Sequence, residues 1–225
     1  MAITGAIFDC DGTLVDSMPM WFDVFYKLLE NHGYSRKDPA VISAVVEAEP
    51  LSIPEEITFL KDRLGLSGSE RDLFDELDAM VRFAYANTIE SYPRVKPFLE
   101  GLHQMGVPMI VASSTGASDV RIALRAHGLE QYFIDIVSAE ELGLSKEEPT
   151  IYYQALEKLG TSKESTWVFE DAPFGVLTAH NAGFPVVCVF NGHDNRDEKL
   201  LRDNSDIFTF EFEGLDPHDL ASWSR

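Results

Sequence analysis

A chain of 225 residues, 45% hydrophobic and 25% charged, is long enough to bury a real core in one or two domains and has the composition of an ordinary globular protein. Its formal net charge of −20 argues against nucleic acid and anionic membrane as partners, and makes an anionic substrate awkward unless the site holds a cation. No apolar run approaches membrane-spanning length, and with no basic start and Asp9 so early a signal peptide is not expected. The two cysteines, Cys10 and Cys188, sit in apolar strand-like runs, so reduced thiols and a cytoplasmic protein are expected.

Residues 3–8 read as a buried strand, which ends in Asp9-Cys10-Asp11-Gly12. Glycine admits the turn, and two carboxylates at a strand exit can either bind a hard cation through oxygen or attack as a nucleophile. A calcium loop does not fit: counted from Asp9, the sixth position is Leu14 instead of glycine and the twelfth is Met20 instead of glutamate. Cys10 between the acids is expected to point away from them, because side chains alternate along a strand.

Residues 18–92 then read as helical. Trp21, Phe22, Phe25, Leu28 and Leu29 have amphipathic spacing, and Asn31-His32-Gly33 closes that helix. Further helices are expected over 39–48, 54–64 and 69–89, the last opened by a Ser69-x-x-Asp72 cap. After Pro93 the pattern alternates. Helix 95–105, strand 107–113, helix 117–127, strand 134–137, helix 150–159, strand 166–169, helix 174–182, strand 185–190, helix 194–203 and a strand near 207–210 follow in turn. Apolar strands alternating with helices indicate an α/β fold, a doubly wound parallel sheet whose ligand crevice lies at the carboxyl ends of its strands. The expected division is an α/β core of residues 1–16 and 93–225 and an inserted helical domain of residues 17–92, joined near 14–17 and 91–94. Two such connections beside the crevice can hinge a lid.

Two further strand ends and one loop carry chemistry-bearing residues. Ser113-Ser114-Thr115-Gly116 offers hydroxyls and backbone N–H groups that either bind a phosphate or cap a helix. Lys146 lies in a loop just before a helix. Glu170 and Asp171 follow an apolar strand, where solvation alone does not account for adjacent acids.

The run Phe8-Asp9-Cys10-Asp11-Gly12-Thr13-Leu14-Val15-Asp16-Ser17 resembles the first signature of the haloacid dehalogenase superfamily, and the later signals recur in that family's order. The resemblance covers nearly the whole chain and is similar to the branch that inserts a helical cap after the first motif, with a Rossmann-like core. It implies that Asp9 is a nucleophile that becomes an aspartyl phosphate and that Asp11 is the general acid and base. It implies that Ser113, with Ser114 beside it, and Lys146 bind the phosphoryl group. It also implies that Mg2+ is held by Asp9, the Asp11 carbonyl and Asp171, with Glu170 orienting a metal-bound water or binding directly. The third motif departs from the family's pattern at Glu147, where a proline is common, and keeps Pro149. Gly175 is expected to allow close packing near its helix start.

Retention of Asp11 favours phosphate chemistry over carbon–halogen or carbon–phosphorus cleavage. The expected activity is a Mg2+-dependent phosphatase of a small phosphorylated metabolite, a sugar or polyol phosphate. The alternatives are a phosphosugar mutase of the β-phosphoglucomutase type and a non-catalytic phosphate-ligand binding protein. Against the mutase, Trp21 stands where that enzyme has a histidine, and residues 45–52 offer Glu47 and Glu49 where it has a sugar-binding arginine. The sequence leaves monomer and weak oligomer unresolved.

Overall fold

A computed structural model of the chain describes residues 3–48, 51–193 and 196–223; Glu49 and the expected helix start at Asp194 lie outside them. The chain divides into two compact units, Met1–Ser17 with Ile89–Arg225, and Met18–Thr88.

The first unit is built on six parallel strands: β1 (Gly5–Phe8), β2 (Met109–Ser113), β3 (Phe133–Ser138), β4 (Thr166–Glu170), β5 (Val186–Phe190) and β6 (Ile207–Phe210), in the order β3-β2-β1-β4-β5-β6. This is the doubly wound order, and the chain reverses direction across the sheet beside β1, the point at which folds of this class bind ligands at the carboxyl ends of their strands. Every residue of β1, β2 and β4 is buried, as a parallel sheet covered on both faces requires.

Alternation along the strands separates two cores. On one face Phe8 stacks on Phe169 with centroids 4.2 Å apart, and Phe98, Phe133 and Phe212 pack around them. Phe98 comes from α5 (Val95–Gln104). On the other face Ile7, Ile110 and Val168 join Ile151 and Tyr152 of α8 (Thr150–Leu159) and Val176 of α9 (Pro173–Asn181). Between these lie α6 (Ala117–Ala126) and α7 (Ala139–Leu142); α10 (Glu198–Asp203) and α11 (Pro217–Ser222) follow β5 and β6. The short α7 and α11 have no counterpart in the sequence reading, and α10 begins at Glu198, where Asp197 caps it by accepting from the Leu200 N–H at 3.0 Å.

The second unit holds α1 (Met18–Asn31), α2 (Pro39–Ala48), α3 (Ile53–Leu64) and α4 (Glu70–Asn87), with α1 packed on α4 and α3 on both α2 and α4. Val24, Phe25, Leu28 and Leu29 are the buried stripe of α1, and Leu73, Leu77 and Val81 that of α4. Ser69 caps α4 through the Asp72 N–H at 3.1 Å, as its sequence predicts. Trp21 is half-buried.

Candidate functional site

Asp9 follows β1 and is tied to β4 by its N–H, which donates to the Phe169 carbonyl at 2.9 Å. β4 ends one strand away in Glu170, with Asp171 next. Register between the two strands therefore delivers three carboxylates to one place. Asp9, Glu170 and Asp171 each put an oxygen within 4.8 Å of the others, and all three are buried.

Lys146 reaches into this cluster from the loop before α8. Its ammonium donates to Asp9 Oδ1 and to Glu170 Oε1, the latter at 2.8 Å, and its side chain is 2% exposed. Burial alone would lower the lysine pKa, but the Asp9 and Glu170 carboxylates outweigh it and hold Lys146 above the ordinary lysine range, as an ammonium. Burial pushes the Asp9 carboxyl well above the usual carboxylate range; Lys146 opposes that rise, and Glu170, Asp171 and Asp11 add to it.

The two acids after β4 differ in how their oxygens are used. Glu170 is saturated: Oε1 also accepts the Tyr152 hydroxyl at 3.1 Å, and Oε2 accepts the N–H groups of Asp171 and Ala172 at 3.1 Å each. Asp171 accepts Thr13 Oγ1 at 3.3 Å on Oδ1, and Asn191 Nδ2 at 2.8 Å and Arg196 Nη1 at 2.5 Å on Oδ2. Burial raises the Asp171 carboxyl to about 6 against the pull of Arg196. Gly12, at φ +86°, lies so close that a side-chain carbon there would collide with Asp171 and come within 2.9 Å of Asn191 Nδ2.

Asp11 stands apart from this cluster in its hydrogen bonding. Ser17 Oγ donates to its Oδ1 at 2.6 Å and Thr115 Oγ1 to its Oδ2 at 2.7 Å. Ser113 is buried at the end of β2, and its Oγ accepts the Thr115 N–H at 3.1 Å, which links the β2 exit to Asp11. Ser114 is exposed. Cys10 is fully buried, and burial together with Asp11 and Asp9 pushes its thiol up, away from a nucleophilic thiolate.

Asp9 Oδ2 is buried and, among the described residues, has no hydrogen-bond partner. A buried carboxylate oxygen without a donor is costly. An all-oxygen cluster with one such atom suits a hard divalent cation, so the residues present fit a metal ion.

Several residues of this site are absent from the sequence reading. Thr13, Ser17 and Thr115 lie inside the quoted motifs, but nothing in the motifs themselves assigns them these hydrogen bonds. Tyr152 reads as core in an amphipathic helix. Asn191 and Arg196 follow β5, with no motif to mark them.

The model of the haloacid dehalogenase-like hydrolase family matches residues 6–189. The chain is 30% identical over 179 residues to a phosphorylated carbohydrates phosphatase of Thermotoga maritima, spanning 79% of this chain and 80% of that one. It is 29% identical over 191 residues to hexitol phosphatase A of Escherichia coli, spanning 84% of each. Among solved structures, a Thermotoga maritima protein provisionally assigned as a β-phosphoglucomutase superposes with a TM-score of 0.77 at 23% identity, covering 98% of this chain and 97% of that one. CbbY from Rhodobacter sphaeroides in complex with phosphate superposes with a TM-score of 0.76 at 19% identity, covering 98% and 100%. At these identities the two superpositions establish the fold.

Proposed function

This chain belongs to the haloacid dehalogenase-like hydrolase family, and on that premise we propose that it is a Mg2+-dependent phosphatase of a small phosphorylated metabolite, a sugar or polyol phosphate, working through an aspartyl phosphate on Asp9. The observation that carries the reading is Asp9 itself: one oxygen is ion-paired to buried Lys146, and the other is buried with no donor among the described residues. A carboxylate so placed is fixed in direction and leaves one oxygen for phosphorus or a cation. The sugar and hexitol phosphatases among its relatives support the substrate class.

In this reading Asp9 attacks phosphorus and the bond to the alcohol oxygen breaks. Asp11 delivers a proton to that departing oxygen, then takes one from the water that attacks phosphorus as the bond to the Asp9 oxygen breaks, which releases phosphate and restores the Asp9 carboxylate. Lys146 and the Ser113 and Ser114 hydroxyls neutralise and orient the phosphoryl oxygens. Asp9, Asp171 and the Asp11 carbonyl would hold Mg2+. Saturation of Glu170 by Lys146, Tyr152 and two backbone N–H groups supports placing it behind these ligands. When bound, the cation screens repulsion between the Asp9 carboxylate and the anionic phosphate. Residues 1–16 and 93–225 are then the catalytic domain and 17–92 the domain that selects the alcohol. The separation of the chain into two compact units supports that division.

The test is phosphate release from a panel of phosphorylated sugars and polyols, glycolate phosphate and an aryl phosphate, with and without MgCl2. Release should require Mg2+, and Asp9→Asn should lower it by at least about a thousandfold, the scale of losing a covalent nucleophile. Turnover surviving Asp9→Asn removes Asp9 as nucleophile. Conversion of glucose 1-phosphate to glucose 6-phosphate without net phosphate release makes the protein a mutase.

A further inference from the structure

Arg196 sits on the carboxylate that the metal reading needs. Its Nη1 donates to Asp171 Oδ2 at 2.5 Å and to the Asp171 carbonyl at 2.7 Å, and its side chain is 7% exposed against 1% for Asp171. An arginine this far out of solvent is held by a specific partner, because a buried guanidinium needs its charge compensated. It comes from the segment after β5, outside the 6–189 family match.

The oxygens of Asp171 decide what this means. A carboxylate oxygen has about two lone-pair sites. Both sites of Oδ2 are occupied, by Arg196 and by Asn191, and Oδ1 accepts Thr13. A cation ligated through Oδ2 must displace a donor. The Asn191 amide is neutral and is also held by the Gly12 carbonyl at 2.9 Å, whereas the guanidinium carries a positive charge that repels an arriving cation. A cation ligated through Oδ1 meets the same positive charge across one carboxyl group. Either geometry sets Arg196 against the metal.

We propose that Arg196 is a built-in competitor for the cation at Asp171, a counter-ion that balances this carboxylate in the metal-free protein and weakens divalent-cation binding. The proposal rests on the Mg2+ site proposed above. Coupling of this kind is reciprocal: removing the guanidinium strengthens the metal, and binding the metal loosens the guanidinium.

The experiment titrates MgCl2 into the metal-free full-length protein by calorimetry, with thermal unfolding in EDTA and in saturating MgCl2 as a second readout. Wild type, Arg196→Gln, Arg196→Lys and Asp171→Asn are compared. Arg196→Gln should bind Mg2+ roughly ten- to a hundredfold more tightly, on the order expected when one charge-assisted hydrogen bond no longer has to break. Arg196→Lys, which keeps the charge without the fork, should fall between Arg196→Gln and wild type. In EDTA, Arg196→Gln should melt below wild type, and saturating MgCl2 should shrink or reverse that gap. A merely structural arginine would leave the gap unchanged and Mg2+ affinity equal or weaker, and either result overturns the proposal. Absence of Mg2+ binding in wild type, or binding that Asp171→Asn does not weaken, overturns the metal site itself and the proposal with it. Wild-type binding that Asp171→Asn abolishes, with no gain in Arg196→Gln, overturns only the role of Arg196.

Discussion

Asp11 is held at both carboxylate oxygens by hydroxyls from two different segments, Ser17 at the end of the first motif and Thr115 after β2. A carboxyl group that must first give a proton and then take one works only from a fixed position, since proton transfer needs hydrogen-bond reach to the reacting oxygen. Thr115 also donates its N–H to Ser113 Oγ, so a single residue ties the proposed acid to the proposed phosphate-binding serine. Thr115→Val keeps the shape and the N–H but removes the hydroxyl. It should lower kcat on the order of tenfold, the scale of a small misplacement of a catalytic group, with little change in KM. Steady-state kinetics at fixed MgCl2 decide it. An unchanged kcat means that Asp11 is held without the Thr115 hydroxyl, and a raised KM at constant kcat means that Thr115 serves binding instead.

At the level of elements, the turn from β4 into α9 is packed around the Glu170 carboxylate. A methyl group at Gly175 would collide with that carboxylate and sit 2.8 Å from Oε2, and the Gly175 carbonyl accepts the Tyr152 hydroxyl at 3.3 Å. Gly175→Ala should therefore cost about 1–3 kcal/mol as an overpacked site, seen as a lower denaturant midpoint at an unchanged slope. A variant as stable as the parent would mean that α9 can slide away from Glu170. The close approach expected at this glycine was legible because the acids stand at a strand end and the glycine one helical turn on. The strands themselves were legible for a related reason: Met109–Ser113 and Thr166–Glu170 are buried on both faces and so read as unbroken apolar runs. What escaped was short or tertiary. Ala139–Leu142 and Pro217–Ser222 have too few turns to show a helical period. Tyr152 looks like core because most of its ring is core, and only its hydroxyl reaches Glu170. Asn191 and Arg196 touch Asp171 across 20 and 25 residues of chain, and no local pattern carries that information.

For the whole molecule, of net charge −20, the buried cluster of carboxylates makes protons and the proposed cation rivals for the same groups. Burial raises Asp171 to about 6 from an unfolded value near 3.8, and it raises Asp9 in the same direction. A carboxyl group raised on folding binds its proton more tightly in the native state. Its contribution to stability is complete below the unfolded value and is lost as pH rises through about 6. The metal-free protein therefore loses this contribution between roughly pH 4 and pH 6, the window in which Asp171 gives up its proton. Mg2+ should restore it only where the carboxylates are ionised. At pH 7.5, MgCl2 at about a hundred times its Kd should stabilise the protein by about 2.7 kcal/mol, a rise in Tm of roughly 5–10 °C for a domain of this size. At pH 5 the same addition should give less than about half that rise, because a proton must leave for each carboxylate that ligates. Melting curves with EDTA and with MgCl2 at the two pH values measure both increments. A metal increment equal at the two values, or larger at pH 5, would mean that Mg2+ binds away from the buried cluster.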